Sequence, residues 1–108
     1  MTINIKHFAL GDYQTNCFIV TADNECWVID CGYEPDPLIE YLKTNDLNPK
    51  SILLTHCHSD HIAGIDQLLS LTGNIPIHAH SLEQEWNMNP MLNLSGFAGN
   101  PVTVTAPT

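Results

Sequence analysis

Arginine is absent from the 108-residue chain, and lysine occurs only at Lys6, Lys43 and Lys50. Against these three cations stand twelve Asp and Glu residues, which give a formal net charge of −9. A chain without a basic patch repels the phosphate backbone of nucleic acids and the anionic surface of membranes. The composition therefore excludes nucleic acid and membrane as expected partners.

Long apolar runs are also missing. No run approaches the roughly 20 residues that a membrane-spanning helix needs. The first ten residues, MTINIKHFAL, lack the long apolar core and the small-residue cleavage site of a secretory signal. We therefore expect a cytoplasmic protein, and with 44% hydrophobic residues we expect one domain over residues 1–108 with a modest core.

The four cysteines, Cys17, Cys26, Cys31 and Cys57, contain no C-x-x-C pair. Disulfide frameworks are typical of small secreted chains, which this sequence does not resemble. Cys17 and Cys26 lie in apolar, strand-like runs. We predict that these two are small buried hydrophobic residues.

Apolar periodicity predicts a mixed sheet in the first half of the chain. Residues 3–10 alternate and predict a strand with one buried face, whereas 17–21 and 26–29 flank a polar turn and predict an antiparallel hairpin. Asp36 and Pro37 begin a helix, and residues 51–55 form the next strand. A helical crossover makes that strand parallel to the preceding one.

The strand at 51–55 runs directly into the six residues HCHSDH. Side chains two apart on extended backbone point the same way, so His56 and His58 can aim at one point. Asp60 is predicted to be the N-cap of the next helix, with His61 beside it. Four donors in one turn fit two cations better than one tetrahedral ion. Two such cations, roughly 3.5–4 Å apart, could share one water.

The helix after this turn is predicted to continue to Leu71. Gly64 in its first turn costs up to roughly 1 kcal/mol relative to alanine, which the close approach of another backbone would explain. Ser81 and Gln84 have the spacing of a capping box and predict a short third helix.

The rest of the chain is less regular. His78 and His80 repeat the His-x-His spacing, but no Asp-His follows, so a solvated strand edge is favoured over a metal role. Residues 87–99 predict an irregular loop. Residues 101–108 alternate valine and threonine and predict either an edge strand or a frayed end.

The motif THCHSDHIAG resembles the signature of the metallo-β-lactamase superfamily. The stretches TNCFIV, WVIDCG and NLSGFAG are similar to its single-domain, glyoxalase II-like hydrolases. This resemblance implies an α/β (α+β) fold in which two sheets face each other in an αβ/βα sandwich. The chain would supply half of it: one mixed sheet with an antiparallel hairpin and helices on one face. Residues 1–108 would then be the amino-terminal part of such a domain, apparently truncated.

The resemblance also implies a set of metal ligands. His56 and His58 would hold one Zn²⁺ and Asp60 and His61 a second, with iron or manganese as possible replacements. In the family, each ion takes a further histidine and both share an aspartate from later in the sequence, and none of these is present here. Asp60 would also be catalytic by orienting the attacking water. Asp30 would steady the metal turn by hydrogen bonding, although a plain turn cap is the alternative.

Two functions follow from the resemblance. The first is a binuclear zinc hydrolase of a small thioester or related ester, incomplete in this chain; similar signatures also serve lactone, β-lactam and persulfide substrates. The second is a catalytically inactive metal-binding half-domain, which forms a homodimer or pairs with a complementing second half. An apolar sheet face left uncovered would favour such pairing.

Overall fold

The structure, a computed structural model, describes residues 2–97 and 100–108. Five strands form one sheet in sequential order. The strands are β1 (Ile3–Leu10), β2 (Thr15–Ala22), β3 (Glu25–Ile29), β4 (Ser51–Leu53) and β5 (Ile77–His78). The helices are α1 (Asp36–Thr44), α2 (Ser59–Ile62) and α3 (Ile65–Thr72). In the described ranges, no helix is both long enough and apolar enough to cross a bilayer.

The sheet is mixed, as predicted. β1, β2 and β3 pair antiparallel, whereas β3, β4 and β5 pair parallel. The short turn at Asp23 and Asn24 closes the β2–β3 hairpin, and the positive φ of Asp23 (56°) suits a tight turn. The helix α1 makes the crossover to β4, which explains the change to parallel pairing.

The helices cover one face of the sheet, also as predicted. Side chains from alternating strand positions meet the buried stripes of α1 and α3 there, because successive strand residues point to opposite faces. Cys17 and Cys26 belong to this core, which confirms their prediction as buried residues. The other principal members are Ile19, Val28, Leu38, Leu42, Ile52, Ile62, Ile65, Leu68 and Ile77.

The opposite face, here called the open face, carries apolar side chains without a covering layer in the described part of the chain. Ile3 and Ile5 at its edge are 61% and 62% exposed. Phe18, Val20 and Trp27 on the same face are half-buried. The prediction that the first strand buries one face is wrong for most of its length. Residues 3–7 are exposed, whereas Phe8 packs half-buried against the core and Leu10 is buried in it.

A close backbone contact divides the helix that follows the metal turn. The amide of Cys31 donates to the carbonyl of His61, and the amide of Gly64 donates to the carbonyl of Cys31, both at 2.9 Å. A Cβ on Gly64 would overlap the carbonyl oxygen of Gly32. The predicted close approach is therefore confirmed. The prediction of one continuous helix is wrong, since the backbone leaves helical geometry at Gly64 (φ −92°, ψ 0°).

The short helix predicted after residue 80 does not form. The described residues after β5 contain no α-helix. They form short 3₁₀ turns at Ser81–Glu83, Trp86–Met88 and Ser95–Phe97. The Nδ1 atom of His80, rather than a serine hydroxyl, accepts the amide hydrogen of Leu82, whose side chain is 82% exposed. The predicted capping box therefore does not start a helix. Residues 98 and 99, at the end of the predicted irregular loop, lie outside the described residues.

The final segment is neither a strand nor frayed. The amide of Val104 donates to the carbonyl of Asn87 at 2.8 Å. Thr108 exchanges two 2.8 Å hydrogen bonds with the backbone of Ile77, one through its amide and one through its hydroxyl. Pro101 and Pro107 have no amide hydrogen to give to a strand ladder, so the segment is fixed by separate contacts instead.

Substitution of Gly64 by alanine should destabilise the fold, because the new Cβ must displace the Gly32 carbonyl. We expect a loss of about 1–3 kcal/mol in the free energy of unfolding, the usual cost of overpacking. Urea denaturation measures it. Ser70→Ala, on the exposed side of α3, is the control and should change stability by less than about 0.5 kcal/mol. Equal effects of the two substitutions would contradict the close approach.

The four thiols should react slowly while the chain is folded. Burial raises the pKa of Cys17, Cys26 and Cys57 to about 11 and raises the pKa of Cys31 further still. Because only the thiolate is nucleophilic, an aromatic disulfide reagent at pH 8 should label the folded chain slowly and label all four cysteines rapidly in urea. Rapid labelling of the folded chain would contradict this burial.

Candidate metal centre

The three histidines of the HCHSDH motif gather just past the carboxyl end of β4. The ring centroids of His56 and His61 lie 4.0 Å apart, and those of His56 and His58 lie 4.8 Å apart. All three side chains are partly exposed, whereas Cys57 between them is fully buried in the core. The backbone thus turns the imidazoles to the surface and the thiol inward.

Asp60 lies close to the histidines, but it is not the N-cap. His58 has the extended backbone of that position (φ −67°, ψ 151°), so Asp60 falls in the first turn of α2. Its Oδ2 atom accepts a hydrogen bond from the Thr15 hydroxyl at 3.0 Å and lies 3.6 Å from Nε2 of His61. The side chain therefore faces β2 and His61, and the predicted cap is wrong because the helix starts earlier.

Asp30 lies beneath the metal turn and is 2% exposed. Its carboxylate accepts hydrogen bonds from the amide of Thr55 (2.8 Å), the hydroxyl of Thr55 (2.6 Å) and Nδ1 of His61 (2.7 Å). Its backbone is in the left-handed region (φ 60°), which aspartate tolerates better than most residues. Asp30 thus ties the end of β4 to α2, which a plain turn cap would not do.

The same network orients two imidazoles. The Thr55 hydroxyl gives its one hydrogen to Asp30, so it can only accept from Nδ1 of His56, 3.2 Å away. Nδ1 of His61 donates directly to Asp30. Both rings therefore keep Nε2 free for another partner, which is the usual arrangement of a metal-binding histidine.

The pKa of His56 is held below its ordinary value. Burial is the main cause, and repulsion from the neighbouring imidazoles of His61 and His58 adds to it, while the carboxylates of Asp30 and Asp60 oppose it. The neutral ring is therefore favoured near neutral pH. Metal ions bind the neutral imidazole. The lowered pKa of His56 therefore reduces the competition between protons and a metal ion for its ring.

The donor set suits a transition metal but is not a complete site. Imidazole nitrogen and carboxylate oxygen are both zinc ligands. Within residues 2–97 and 100–108, no three His, Cys, Asp or Glu side chains are grouped so that they could hold one ion. The predicted pairs, His56 with His58 and Asp60 with His61, would each supply two ligands. Their role in binding metal stays a prediction.

The second His-x-His pair lies apart from this cluster. His78 is exposed at the end of β5, and His80 caps the following 3₁₀ turn. Neither side chain joins a three-ligand group in the described residues.

Sequence reasoning missed several residues that contact the cluster. Of these residues, Thr15 is the one that the sequence marks most clearly, because it belongs to the TNCFIV stretch. Thr55 ends the predicted strand and received no separate role. Glu83 and Trp86 carry no sequence signal of such contacts, because the contacts join parts of the chain that are far apart in sequence.

Comparison with known proteins identifies the family. The model of the metallo-beta-lactamase superfamily matches residues 10–107, which is most of the chain. The chain belongs to this superfamily. The match includes the HCHSDH turn, Asp30 and Thr15, so all the site residues described above lie inside the superfamily domain.

Among curated relatives, the superfamily domain is similar to the probable metallo-hydrolase YqgX of Bacillus subtilis. The two are 34% identical over 91 residues, which is 84% of this chain and 43% of YqgX. A hydroxyacylglutathione hydrolase of Vibrio cholerae is 39% identical over 67 residues, which is 62% of this chain and 26% of that enzyme. The chain thus spans less than half the length of these relatives.

Solved structures show the same partial overlap. BLEG-1, a B3 metallo-beta-lactamase, superposes with a TM-score of 0.89 at 36% identity, covering 97% of this chain and 51% of BLEG-1. TTHA1623 in a di-iron-bound form superposes with a TM-score of 0.75 at 29% identity, covering 95% of this chain and 50% of that one. The sheet and helices described above correspond to half of each fold.

The Asp30 network should be essential to the site's stability. Asp30→Asn keeps the left-handed backbone but places an amide where the carboxylate accepts three hydrogen bonds, so a buried donor is left without a partner. We expect a loss of about 1–3 kcal/mol in the free energy of unfolding. Asp23→Asn is a matched control, because Asp23 is exposed and also has a positive φ (56°). A similar small effect at both positions would contradict the network.

Proposed function

We propose that this chain carries half of the active site of a zinc-dependent hydrolase that acts on thioesters or related esters. The observation that supports it is the grouping of three imidazoles and the Asp60 carboxylate around one turn, with Asp30 anchoring that turn from beneath. The thioester class comes from the similarity to a hydroxyacylglutathione hydrolase.

Each residue has a role in this proposal. His56 and His58 bind one ion, and Asp60 and His61 bind the other. The Asp30 carboxylate accepts the hydrogen of His61 Nδ1, which would leave Nε2 of His61 as the metal ligand. Asp60 also accepts a hydrogen bond from the attacking water and so orients it. When bound, zinc polarises the substrate carbonyl and lowers the pKa of water to about 7; iron or manganese could replace it.

We further propose that residues 1–108 are the amino-terminal part of a longer domain, whose other part completes the site. Each pair described above lacks at least one ligand, and the relatives are about twice as long or longer. The open face supports this, because a second sheet packed on it would cover Ile3 and Ile5. The buried free thiols agree with a cytoplasmic location, where thiols stay reduced.

A second candidate function is a metal-binding half-domain that is inactive alone. The open face favours it too, because soluble monomers rarely leave a contiguous apolar patch exposed. In that case two copies would bury their open faces against each other, and the assembly would bind metal without turnover.

The isolated chain should bind zinc weakly through the motif. We expect roughly one ion per chain with low affinity, because each site has only part of its ligands. Equilibrium dialysis of the wild type, His56→Ala and Asp60→Ala measures the uptake, and both variants should bind less. His7→Ala is the control, since His7 is an exposed histidine on the open face. Uptake that His7→Ala lowers and His56→Ala leaves unchanged would contradict the assignment.

Hydrolysis should require the missing half. A chimera that joins this chain to the carboxyl-terminal part of YqgX should hydrolyse a glutathione thioester with zinc, whereas the isolated chain should not. Asp60→Ala in the chimera should reduce kcat/KM by at least about 100-fold, because it removes both a ligand and the group that orients water. Light scattering of the isolated chain separates monomer from dimer. A folded chimera with two bound ions and no turnover would favour the inactive half-domain.

A further inference from the structure

One segment outside the motif contacts three consecutive residues of the metal turn. In this bracing segment, residues 83–93, Oε1 of Glu83 accepts the amide hydrogen of Cys57 at 2.8 Å. The indole of Trp86 stacks on the ring of His58, with 5.6 Å between centroids and 20° between planes. The carbonyl of Asn93 accepts the amide hydrogen of Ser59 at 2.8 Å. The three contacts hold the backbone of Cys57, the ring of His58 and the backbone of Ser59.

The contact from Glu83 addresses a specific need of the turn. Cys57 lies beyond the end of β4, so its amide has no partner in the sheet ladder. The side chain of Cys57 is fully buried, and a buried amide without a partner is costly. A carboxylate makes a stronger hydrogen bond to an amide than a neutral acceptor does. Glu83 thereby holds the residue between His56 and His58.

The contact from Trp86 addresses the ring of His58. The hydrogen bonds of Asp30 and Thr55 orient the rings of His61 and His56. The ring of His58 instead stacks on the indole of Trp86. Its plane is nearly parallel to the indole and nearly perpendicular to the His56 ring, at 89°. The indole therefore restricts the rotation of the imidazole about its side-chain bonds.

The bracing segment is itself rigidly attached. Asn93 is fully buried, and its amide group donates to the carbonyls of Trp86 (2.9 Å) and Val102 (3.0 Å). Its Oδ1 atom accepts from the amide (3.0 Å) and the hydroxyl (2.6 Å) of Ser95. All four hydrogen-bonding positions of this side chain are thus used. The backbone of Trp86 is therefore held by a buried side-chain amide whose hydrogen bonds are all made.

We propose that Glu83 and Trp86 are positioning residues of the metal site. Glu83 fixes the backbone between the two histidines and Trp86 fixes the ring plane of His58, so that both imidazoles meet one ion. The inference rests on the proposed function, because it assumes that His56 and His58 bind the metal. It adds two residues that would raise the metal affinity of this pair. At His58, the indole takes the place of the hydrogen bond that usually orients a histidine ligand.

Zinc titration with a competing chromophoric chelator tests the role of Glu83 in the full chain. Glu83→Ala should weaken zinc binding by about tenfold, the lower range for loss of a residue that orients a metal ligand. Glu83→Gln keeps an acceptor oxygen and should stay within about threefold of wild type. Glu85→Ala removes a nearby exposed charge and should leave the affinity unchanged. Should Glu83→Ala not fold, Glu83→Asp, one methylene too short, replaces it with the same expectation.

Three measurements test the role of Trp86: an NMR shift, indole fluorescence and zinc affinity. In the metal-free chain, the ring protons of His58 should be shifted upfield in the NMR spectrum by the stacked indole. Trp86→Leu should remove this shift, and Trp86→Phe should keep part of it. In a Trp27→Phe background, Trp86 is the one remaining indole, and zinc should change its fluorescence. His58→Ala should abolish that change, and Trp86→Leu should weaken zinc binding several-fold more than Trp86→Phe.

The outcomes separate the two proposals. Zinc uptake that His58→Ala reduces, but that Glu83→Ala and Trp86→Leu leave unchanged, overturns the positioning role and spares the proposed function. A wild-type chain that takes up no zinc through His56 and His58 overturns both. Urea midpoints measured with chelator present show whether a variant only destabilises the fold. A loss of affinity in Glu83→Gln equal to that in Glu83→Ala assigns the effect to charge and overturns positioning by the hydrogen bond.

Discussion

A buried carboxylate that must be satisfied is the constraint on which this half-domain depends. Asp30 is almost completely removed from water, and an ionised group in that position is tolerated only with several hydrogen-bond donors around it. Thr55 and His61 supply those donors, and they come from the end of β4 and from α2. The need to give the Asp30 oxygens hydrogen-bond donors therefore helps to fix the position of the HCHSDH turn against the sheet.

Close backbone packing works together with that carboxylate. The turn at 30–32 and the helices α2 and α3 exchange backbone hydrogen bonds, which requires glycine at both Gly32 and Gly64. The metal turn is thus held from beneath by Asp30, from the side by glycine contacts and from outside by the bracing segment. The three imidazoles and Asp60 remain partly exposed. The hydrolytic site proposed above would need both a rigid support and an open side.

The open face shows what this rigid support does not provide. On this face, the side chains of Phe18, Val20 and Trp27 are half-buried, while those of Ile3 and Ile5 are exposed to solvent. The sheet that supports the HCHSDH turn therefore also carries an exposed apolar surface. In BLEG-1 and TTHA1623, the part of the chain equivalent to this one is about half of the fold.

The sequence by itself determined the parts of the structure that depend on local periodicity and on short-range spacing. The hairpin, α1, the parallel β4 and the clustering of His56, His58 and His61 all follow from residues close together in the chain. The resemblance in the motifs also determined the superfamily. Only the tertiary structure decided that His58 rather than Asp60 is the N-cap, and that Gly64 divides a helix. It also decided that Glu83 and Trp86 contact the HCHSDH turn. These outcomes depend on contacts between residues tens of positions apart, where the energy of burying and pairing a side chain exceeds its local preference.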